Sequence, residues 1–543
     1  MKVLESTLSL VGSEIASMKD LTDEELEKKI VSARYVLDED SDLVYLEKIK
    51  NGEVLERVRV GDKKWFDSTK KYETPYRFTP YNSLPFGQCP TSCGLCSAHQ
   101  NSTALLNIVL TNRCNLNCFY CFFYAEKAGY VHEPSLEDIL WMVDSAKAFN
   151  KGKIYAVQLT GGEPTLREDL PEIVKAVKDH GVSHIQLNTQ GVRIGIMNYN
   201  SPEKAADYVK SLREAGVNTV YLSFDGTTPE INFKNHYEIP FIFDAFAKGG
   251  LTSVALVPTL INGWNFPQEL GKIVKFAANN MNVVRGVNFQ PVSFVGHMTK
   301  KEIEEVEKKR VTISDFESQL EKQLSIPRDA WRPIPFMVPI IKILGKDDLG
   351  FYNNPKCGEA TYVVVDRSGD DLKFHPITEY IDVDKLYYDV SNAVDGDFQR
   401  LKKIPIIMKL LSGSYIKKDE LPDGTKISKL LRSLFLHKDY ESAGELNYKL
   451  LYLGTMHFMD PFDYDIKRVM RCSIHYSLPD GRVIPFCAYN VFPTIYRDKT
   501  LKEFSVSTEK LKENEKYYKE LSDFRKQADK IRDNEIYKKI YSI

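Results

Sequence analysis

Between residues 104 and 297, short apolar segments alternate with segments of helical periodicity. Such an alternation is typical of a parallel β-sheet whose strands are connected by helices. The six strand candidates are ALLNIVL, YAVQLTGG, HIQLNTQG, TVYLSFDG, SVALVPTLI and VRGVNFQPVSF. We therefore predict an α/β fold with a parallel sheet, open or partly closed, and we expect its chemistry at the carboxyl ends of the strands.

Local signals predict two helices and a division of the chain into three regions. Ser135 is a candidate N-cap of the helical run SLEDILWMVDSAKAF. The segment from Leu21 to Leu37 is also predicted to be helical, because Asp23 and Glu25 precede apolar positions. The predicted regions are an N-terminal region (1–103), the alternating core (104–297) and a C-terminal region (298–543).

Three cysteines stand in the loop after the first strand candidate, LTNRCNLNCFYC. Cys114, Cys118 and Cys121 have x3 and x2 spacing, and thiolates are soft ligands that select iron–sulfur clusters, zinc or copper(I). A cubane cluster on three cysteines leaves one iron without a protein ligand, which is a coordination site for another molecule. A structural zinc knuckle is the alternative, and it would need a fourth ligand nearby.

Cysteine placement and charge restrict the class of protein further. Six of the nine cysteines lie between Cys89 and Cys121, which favours metal or redox chemistry over a disulfide framework. The net charge of −2 gives no reason to expect a nucleic-acid partner. Without a long apolar run or a secretory signal, we expect a cytoplasmic protein, and peripheral membrane contact stays open.

Further motifs follow the next three strand candidates: GGEP (Gly161–Pro164), NTQG (Asn188–Gly191) and SFDG (Ser223–Gly226). With the cysteine loop, they resemble the radical S-adenosylmethionine (SAM) superfamily. The resemblance implies a partial (βα)6 barrel of the TIM-like type, with a [4Fe–4S] cluster on Cys114, Cys118 and Cys121. It also implies SAM at the open iron, a 5′-deoxyadenosyl radical that abstracts hydrogen, and an electron donor such as a ferredoxin or flavodoxin.

The same resemblance suggests residues that contact SAM. The GGEP turn places flexible backbone, and the Glu163 carboxylate, beside the SAM ammonium, with an N-cap role for Glu163 as the alternative. Strand-end polar residues would bind the ribose or carboxylate, or only cap the strands, and Asp225 fits a turn equally well. The candidate cofactor-binding residues are Tyr120, Gly161, Gly162, Glu163, Asn188, Thr189, Ser223, Asp225, Gln290 and Val292.

The other six cysteines are candidate ligands of auxiliary metals in the flanking α+β extensions. Cys89, Cys93 and Cys96 repeat the x3, x2 spacing and suggest an iron–sulfur or iron–thiolate site, closed by Cys357, with a zinc ribbon as the alternative. Cys472 and Cys487 flank RCSIHYSLPDGRVIPFC, which predicts a hairpin turning at Pro-Asp-Gly. They are further metal ligands or two buried thiols.

Longer segments resemble one subfamily, the archaeal tetraether lipid synthases. The resemblance rests on HxxxxALLNIVLTNRCNLNC, NPKCGEATY with FHPITEYIDVDKL, and MHF-DP with CSIHYSLPDGR-IPFCAYN. It implies coupling of terminal methyl carbons of archaeol-type lipid chains, sp3 to sp3, and auxiliary iron–sulfur clusters. Relatives have cysteines where this chain has Asn353 and His375, so the cofactor set differs. Radical methylation of a pterin-like molecule is the alternative function.

Two apolar segments are compatible with a lipid substrate. Arg400–Lys438 combines basic and apolar residues, as an interfacial segment would, and a solvated helical surface is the alternative. Trp331–Leu344 is apolar and interrupted by proline, so it suits an apolar channel or a buried loop. A zinc module that binds nucleic acid is disfavoured, because the span from Cys89 to Cys121 holds only one basic residue, Arg113.

Overall fold

The computed structural model describes most of the chain. Among the described residues, no helix is both long enough and apolar enough to cross a bilayer. The described residues are 1–74, 88–94, 96–121, 123–296, 298–343, 349–394, 404–406, 408–409, 412–430 and 449–541.

The N-terminal region forms an antiparallel sheet of four strands, which are β1 (Lys2–Leu10), β2 (Ile30–Asp38), β3 (Leu43–Lys50) and β4 (Glu53–Asp62). The predicted helix from Leu21 to Leu37 is wrong over most of its length. Only Asp23–Lys28 is helical, and the part from Ile30 onward belongs to β2. Residues of β2 alternate between buried and more exposed positions, so a period of two and pairing on both edges override the helical signal.

The six predicted strands form the parallel centre of a second, larger sheet. Because helices cover this sheet, its strands are apolar and largely buried, as in β5, where six of seven residues are buried. The α/β prediction is confirmed. The strands of this region are β5 (Leu105–Thr111), β6 (Val131–His132), β7 (Ala156–Gly161), β8 (His184–Thr189), β9 (Val217–Ser223), β10 (Val254–Val257), β11 (Thr259–Leu260) and β12 (Val284–Pro291).

Helices between these strands bury their apolar faces against the outer face of the sheet and form the main core. The predicted cap is present, because the Ser135 hydroxyl accepts a hydrogen bond from the Asp138 amide at the start of Leu136–Phe149. The helices of the core region are Ala125–Ala128, Leu136–Phe149, Leu170–Asp179, Val192–Asn200, Pro202–Ala215, Ile239–Gly249 and Leu270–Asn279.

The region after residue 297 extends the same sheet at both ends. Strand β16 pairs in parallel with β12, β17 pairs in parallel with β5, and β17 turns into β18 as the predicted hairpin. The two ends of the hydrogen-bonded path are β13 and β18, so the described strands form an open sheet rather than a closed barrel. These strands are β13 (Arg332–Pro333), β14 (Gly358–Asp366), β15 (Lys373–Pro376), β16 (Leu450–Met456), β17 (Ile474–Ser477), β18 (Val483–Pro485) and β19 (Ser505–Val506).

Helices also accompany the two flanking regions. The last ones pack back on the core, where Phe524 contacts Tyr199 and Phe241 with ring centroids 5.2 and 6.2 Å apart. Besides Asp23–Lys28, the helices of the two flanking regions are Gly12–Ser17, Lys63–Lys71, Lys300–Lys309, Ile313–Leu324, Met337–Ile343, Ile377–Tyr380, Val383–Val394, Ile466–Val469, Phe486–Val491, Lys499–Glu503, Asn514–Arg525, Ala528–Asp533 and Glu535–Tyr541.

Parts of the two apolar segments lie outside the described residues. These parts are 400–403, 407, 410–411 and 431–438 of the predicted interfacial segment, and residue 344 of the other. In the described part of the second segment, Ile334, Phe336 and Met337 line a cavity on the concave face of the large sheet, called the central cavity below. Trp331, in contrast, is buried in the main core.

Candidate active site

The concave face of the large sheet encloses one cavity of about 980 Å³. Side chains from β5, β9, β14 and β17 all line it, which shows how strongly the sheet curves. A cavity of this size lies at the upper end of the range for small-molecule sites. Since the loops after the parallel strands open into it, this cavity is the place where the sequence motifs meet.

The cysteine loop lies in the wall of this cavity. Cys114, Cys118 and Cys121 all line the cavity, Cys114 as a buried residue and the other two half-buried. Burial raises the pKa of Cys118 to about 11, and the Lys234 ammonium opposes this rise. Burial also raises the pKa of Cys114 well above its ordinary value, and the other two thiols add to the effect. The three thiols therefore line one cavity and influence one another electrostatically.

The donor set fits a four-iron cluster better than a single ion. Within the described ranges, no three His, Cys, Asp or Glu side chains form a group that could hold one metal ion. A cubane cluster makes a different demand, since each of its thiolates binds a separate iron. Three neighbouring thiols in a cavity wall, with open space beside them, meet that demand and leave room for a further ligand.

The GGEP turn holds the start of the cysteine loop in place through close backbone contact. The Gly162 amide donates to the Thr111 carbonyl at 2.7 Å, and the Glu163 amide donates to the Arg113 carbonyl at 2.8 Å. A Cβ at Gly161 would lie 2.0 Å from the Thr111 oxygen, and one at Gly162 would lie 2.3 Å from the Arg113 oxygen. Both positions therefore require glycine, and both glycines line the cavity.

The structure places Glu163 behind the cavity wall. Its carboxylate caps the short helix Pro164–Leu166 and accepts hydrogen bonds from the Thr165 amide at 2.9 Å and hydroxyl at 2.6 Å. It also accepts from the Thr189 hydroxyl at 2.6 Å and the Gln190 amide at 2.9 Å. These bonds use the carboxylate to connect two motif loops, so the N-cap role describes this side chain and contact with an ammonium does not.

The other predicted SAM contacts divide into two groups. Thr189 and Asp225 are buried and do not line the cavity, and both serve as internal braces. The residues that do line it are Tyr120, Asn188, Ser223, Gln290 and Val292. The second group keeps the geometry needed for cofactor contact.

Lys234 is a site residue that the sequence analysis missed. Its Nζ lies 2.9 Å from the Asp225 Oδ2 and 5.1 Å from the centre of the Tyr120 ring, and the side chain lines the cavity. Burial lowers the pKa of Lys234, but Asp225 and Cys118 more than restore it. The signal was absent because NFKNHYEIP carries no recognised spacing, and only the fold brings it to the cysteine loop.

The six other cysteines form two groups. Cys89, Cys93 and Cys96 line a small cavity together with His99. Burial raises the pKa of Cys89 to about 12, and Cys96 adds to the rise, as expected of adjacent thiols. The prediction grouped these three cysteines, and the structure brings them together.

Cys357 lies near Cys472 and Cys487. Burial raises the pKa of Cys472 to about 11, with Cys357 as the next cause. Cys472 and Cys357 likewise add to the burial effect on the pKa of Cys487, which itself lines the central cavity. The buried Arg468 lies beside Cys357 and Cys487. Cys472 also contributes to the raised pKa of Cys93, so the two sets are neighbours, and the closure of the first group by Cys357 stays a prediction.

Residues 108–277 match the radical SAM superfamily model. Over 493 residues, the chain is 36% identical to the 7,8-dihydro-6-hydroxymethylpterin dimethyltransferase of Methanocaldococcus jannaschii. The match covers 88% of this chain and 94% of that protein. The similarity therefore extends beyond the core into both flanking regions.

More distant relatives match only the core. A probable GTP 3′,8-cyclase of Saccharolobus islandicus is 31% identical over 248 residues, which are 44% of this chain and 73% of that protein. The solved structure of TYW1 with a lysine–pyruvate adduct bound is 15% identical and covers 43% of this chain and 74% of that chain, with a TM-score of 0.25. That score is too low to support an inference.

These comparisons correct the functional prediction. The expected coupling of archaeol-type lipid chains by a tetraether lipid synthase is contradicted, because the relative that matches nearly the whole chain is a pterin dimethyltransferase. The lipid substrate loses its support with it. The alternative, radical methylation of a pterin-like molecule, agrees with the comparison.

Proposed function

This chain belongs to the radical SAM superfamily, in the family of the Methanocaldococcus jannaschii pterin dimethyltransferase, and from this premise we propose that it is a radical SAM methyltransferase acting on a pterin-like heterocycle. The observation that carries the proposal is 36% identity across 88% of the chain. A shared core alone would support only the superfamily. Similarity through the flanking regions extends to the walls of the cavity that the substrate would occupy.

The cofactors are a [4Fe–4S] cluster and SAM, and the enzyme needs an electron donor. We assign the cluster to Cys114, Cys118 and Cys121. When bound and reduced, the cluster and SAM supply a radical able to abstract hydrogen from an unreactive carbon. Gly161 and Gly162 hold the backbone against the cysteine loop, and Asn188, Ser223 and Gln290 offer polar groups to SAM. A ferredoxin or flavodoxin is the proposed donor.

The remaining cysteine groups are proposed as auxiliary metal sites. Thiolates in close groups of three select soft or borderline metals. Cys487 also lines the central cavity, so a metal held by Cys357, Cys472 and Cys487 would lie beside the substrate. The small cavity between Cys89, Cys93 and Cys96, with His99 in its wall, suits a second site.

The cavity suits a flat, partly polar molecule beside SAM. Its walls are mainly apolar and aromatic, with Tyr362 and Tyr452 from the paired strands β14 and β16 and Tyr221 from β9. Aromatic faces favour stacking with planar rings. A few amide side chains interrupt this surface. Ligand sites commonly combine a large apolar area with a few polar groups that fix orientation.

Methyl transfer from labelled SAM tests the proposal. One SAM would donate its methyl group and leave as S-adenosylhomocysteine. A second would be cleaved with one electron, and its adenosyl part would take up the hydrogen atom that the methyl group replaces, giving 5′-deoxyadenosine and methionine. The donor would supply one further electron to complete the methyl transfer. We expect the reduced, anaerobic enzyme to convert 6-hydroxymethyl-7,8-dihydropterin and trideuteromethyl-SAM into a pterin that carries the deuterated methyl group, detected by mass spectrometry.

The C118A variant is the matched control, because it removes one cluster ligand and leaves the cavity otherwise intact. It should form neither methylated pterin nor 5′-deoxyadenosine. If the wild-type enzyme forms 5′-deoxyadenosine but leaves the pterin unlabelled, the radical chemistry stands and the proposed substrate is wrong.

A further inference from the structure

A chain of amide side chains crosses the inner face of the central sheet. Asn107, Gln158 and Gln186 occupy paired positions on β5, β7 and β8. Gln158 Nε2 donates to Asn107 Oδ1 at 2.7 Å, and Gln186 Nε2 donates to Gln158 Oε1. All three side chains line the cavity and are buried. Three neighbouring amides on a surface that is otherwise mainly apolar require a reason.

The orientation of the three amide groups is fixed at Asn107, the first of them. Asn107 Nδ2 donates to the backbone carbonyl of His475 at 3.2 Å. A carbonyl can only accept, so Asn107 must present its nitrogen there and its oxygen to Gln158. Gln158 in turn points its nitrogen at Asn107 and its oxygen at Gln186, so Gln186 must present its nitrogen to Gln158. Its nitrogen is used by Gln158, and its Oε1 is left at the open end as a hydrogen-bond acceptor.

A fourth amide, without a partner among the described residues, lies further along the cavity wall, on β12, which is three strands away from β8. The Asn288 side chain, on β12, is 4% exposed and lines the cavity, yet it makes no hydrogen bond with any described residue. Its neighbour Phe289 points to the outer core, so the alternation of the strand turns Asn288 inward. Because the Asn288 amide lines the cavity and has no hydrogen-bond partner in the described part of the chain, its N–H and C=O groups are free to pair with a ligand there.

We propose that Gln186 and Asn288 are specificity-determining residues that bind the polar edge of a planar lactam heterocycle. Gln186 Oε1 accepts a hydrogen bond from the exocyclic amino group. Asn288 pairs through its N–H and C=O with a second edge, as amide side chains do with nucleobases. This inference rests on the proposed function, since a pterin offers an amino group beside a lactam. It assigns the recognition of these groups to Gln186 and Asn288.

Binding to two related heterocycles tests the inference without turnover. The anaerobic holoenzyme with SAM, and without reductant, is titrated by calorimetry with 6-hydroxymethyl-7,8-dihydropterin and with its 2-oxo analogue, in which a carbonyl replaces the amino group. We expect the wild type to prefer the amino compound by at least tenfold. In the 2-oxo analogue the carbonyl oxygen would face Gln186 Oε1, and two acceptors cannot form a hydrogen bond with each other. Gln186→Leu should abolish that preference.

Asn288→Leu gives a second readout that a merely structural residue would not show. Since Asn288 has no protein partner, the variant should unfold at the same temperature as wild type or higher, while it binds the amino compound about tenfold more weakly. Gln268→Leu, the same type of change on an exposed residue, should alter neither property.

The outcomes separate the two proposals. Wild-type binding with a preference that survives in Gln186→Leu, or with unchanged affinity in Asn288→Leu, would overturn this inference and leave the proposed function standing. Failure of the wild type to bind either heterocycle would overturn the proposed substrate itself.

Discussion

Lys234 and Asp225 form a buried ion pair, with Nζ 2.9 Å from Oδ2, directly behind the cysteine loop. Asp225 also accepts a hydrogen bond from the Tyr120 hydroxyl and, through Oδ1, from the Thr259 amide at 3.0 Å. Tyr120 belongs to the loop that carries the three cysteines. The pair therefore joins the cysteine loop to the ends of two strands.

Lys234→Met should destabilise the protein strongly. It leaves Asp225 as a buried charge without its cation, and removal of one partner of a buried pair typically costs about 3–5 kcal/mol. Denaturant unfolding of the variant measures this loss. Lys248→Met is the matched control, because Lys248 forms an equally short pair with Asp244 at 2.7 Å on an exposed helix surface, where about 0.5 kcal/mol is expected. Equal losses in the two variants would contradict the bracing role.

Gly162→Ala should displace the cysteine loop. The added Cβ would lie 2.3 Å from the Arg113 oxygen, so the backbone that precedes Cys114 must move. We expect less iron per chain after reconstitution and little 5′-deoxyadenosine. Gly369→Ala provides the control, since a Cβ there meets nothing within 4 Å. Full iron content in Gly162→Ala would show that the close contact is not needed.

Loss of the first auxiliary cysteine group should spare SAM cleavage. In the variant with alanine at Cys89, Cys93 and Cys96, the Cys114 loop keeps its own contacts and the second group keeps Cys357, Cys472 and Cys487. We expect 5′-deoxyadenosine to form while iron content falls. Loss of SAM cleavage together with the iron would contradict the separation of these sites.

Acid should destabilise the fold partly through His236. This histidine is 4% exposed, and its Nε2 lies 2.8 Å from the Tyr537 hydroxyl, while its Nδ1 has no hydrogen-bond partner. Burial lowers the pKa of His236 to about 4. Below about pH 6.5 the unfolded chain gains a proton that the folded chain does not. The stabilisation is therefore complete at neutral pH and is lost as the pH falls toward 4.

The variant His236→Gln removes this contribution. Between pH 7 and 4, the wild-type free energy of unfolding should fall by up to about 3 kcal/mol more than that of the variant. Denaturant titrations at both pH values measure the difference. Parallel pH profiles would show that His236 does not remain neutral in the fold.

Much of the fold could be predicted because the core signals are local. Each of the first four predicted strands ends in a motif at the same edge of the sheet, so spacing along the chain was enough to place Cys114, Gly161 and Asn188 together. The segment from Ile30 to Leu37 was predicted to be helical because a genuine helix, Asp23–Lys28, begins just before it. Pairing with two neighbouring strands decides its conformation instead.

Parts of the site depend on long-range contacts that sequence spacing does not carry. Glu163 belongs to a motif, yet its hydrogen bonds to Thr165, Thr189 and Gln190 turn it away from the cavity. Lys234 belongs to no motif and reaches the cysteine loop only through the fold. The grouping of Cys357 with Cys472 and Cys487 likewise requires β14 and β17 to be placed.

The central claim is that Cys114, Cys118 and Cys121 hold the cluster that cleaves SAM. The most direct measurement is 5′-deoxyadenosine formed by the reduced, reconstituted enzyme, compared with the C118A variant under the same conditions. We predict iron-dependent formation in the wild type and none in the variant. A wild type that binds iron but never cleaves SAM, or a variant that cleaves it at the wild-type rate, would contradict the account.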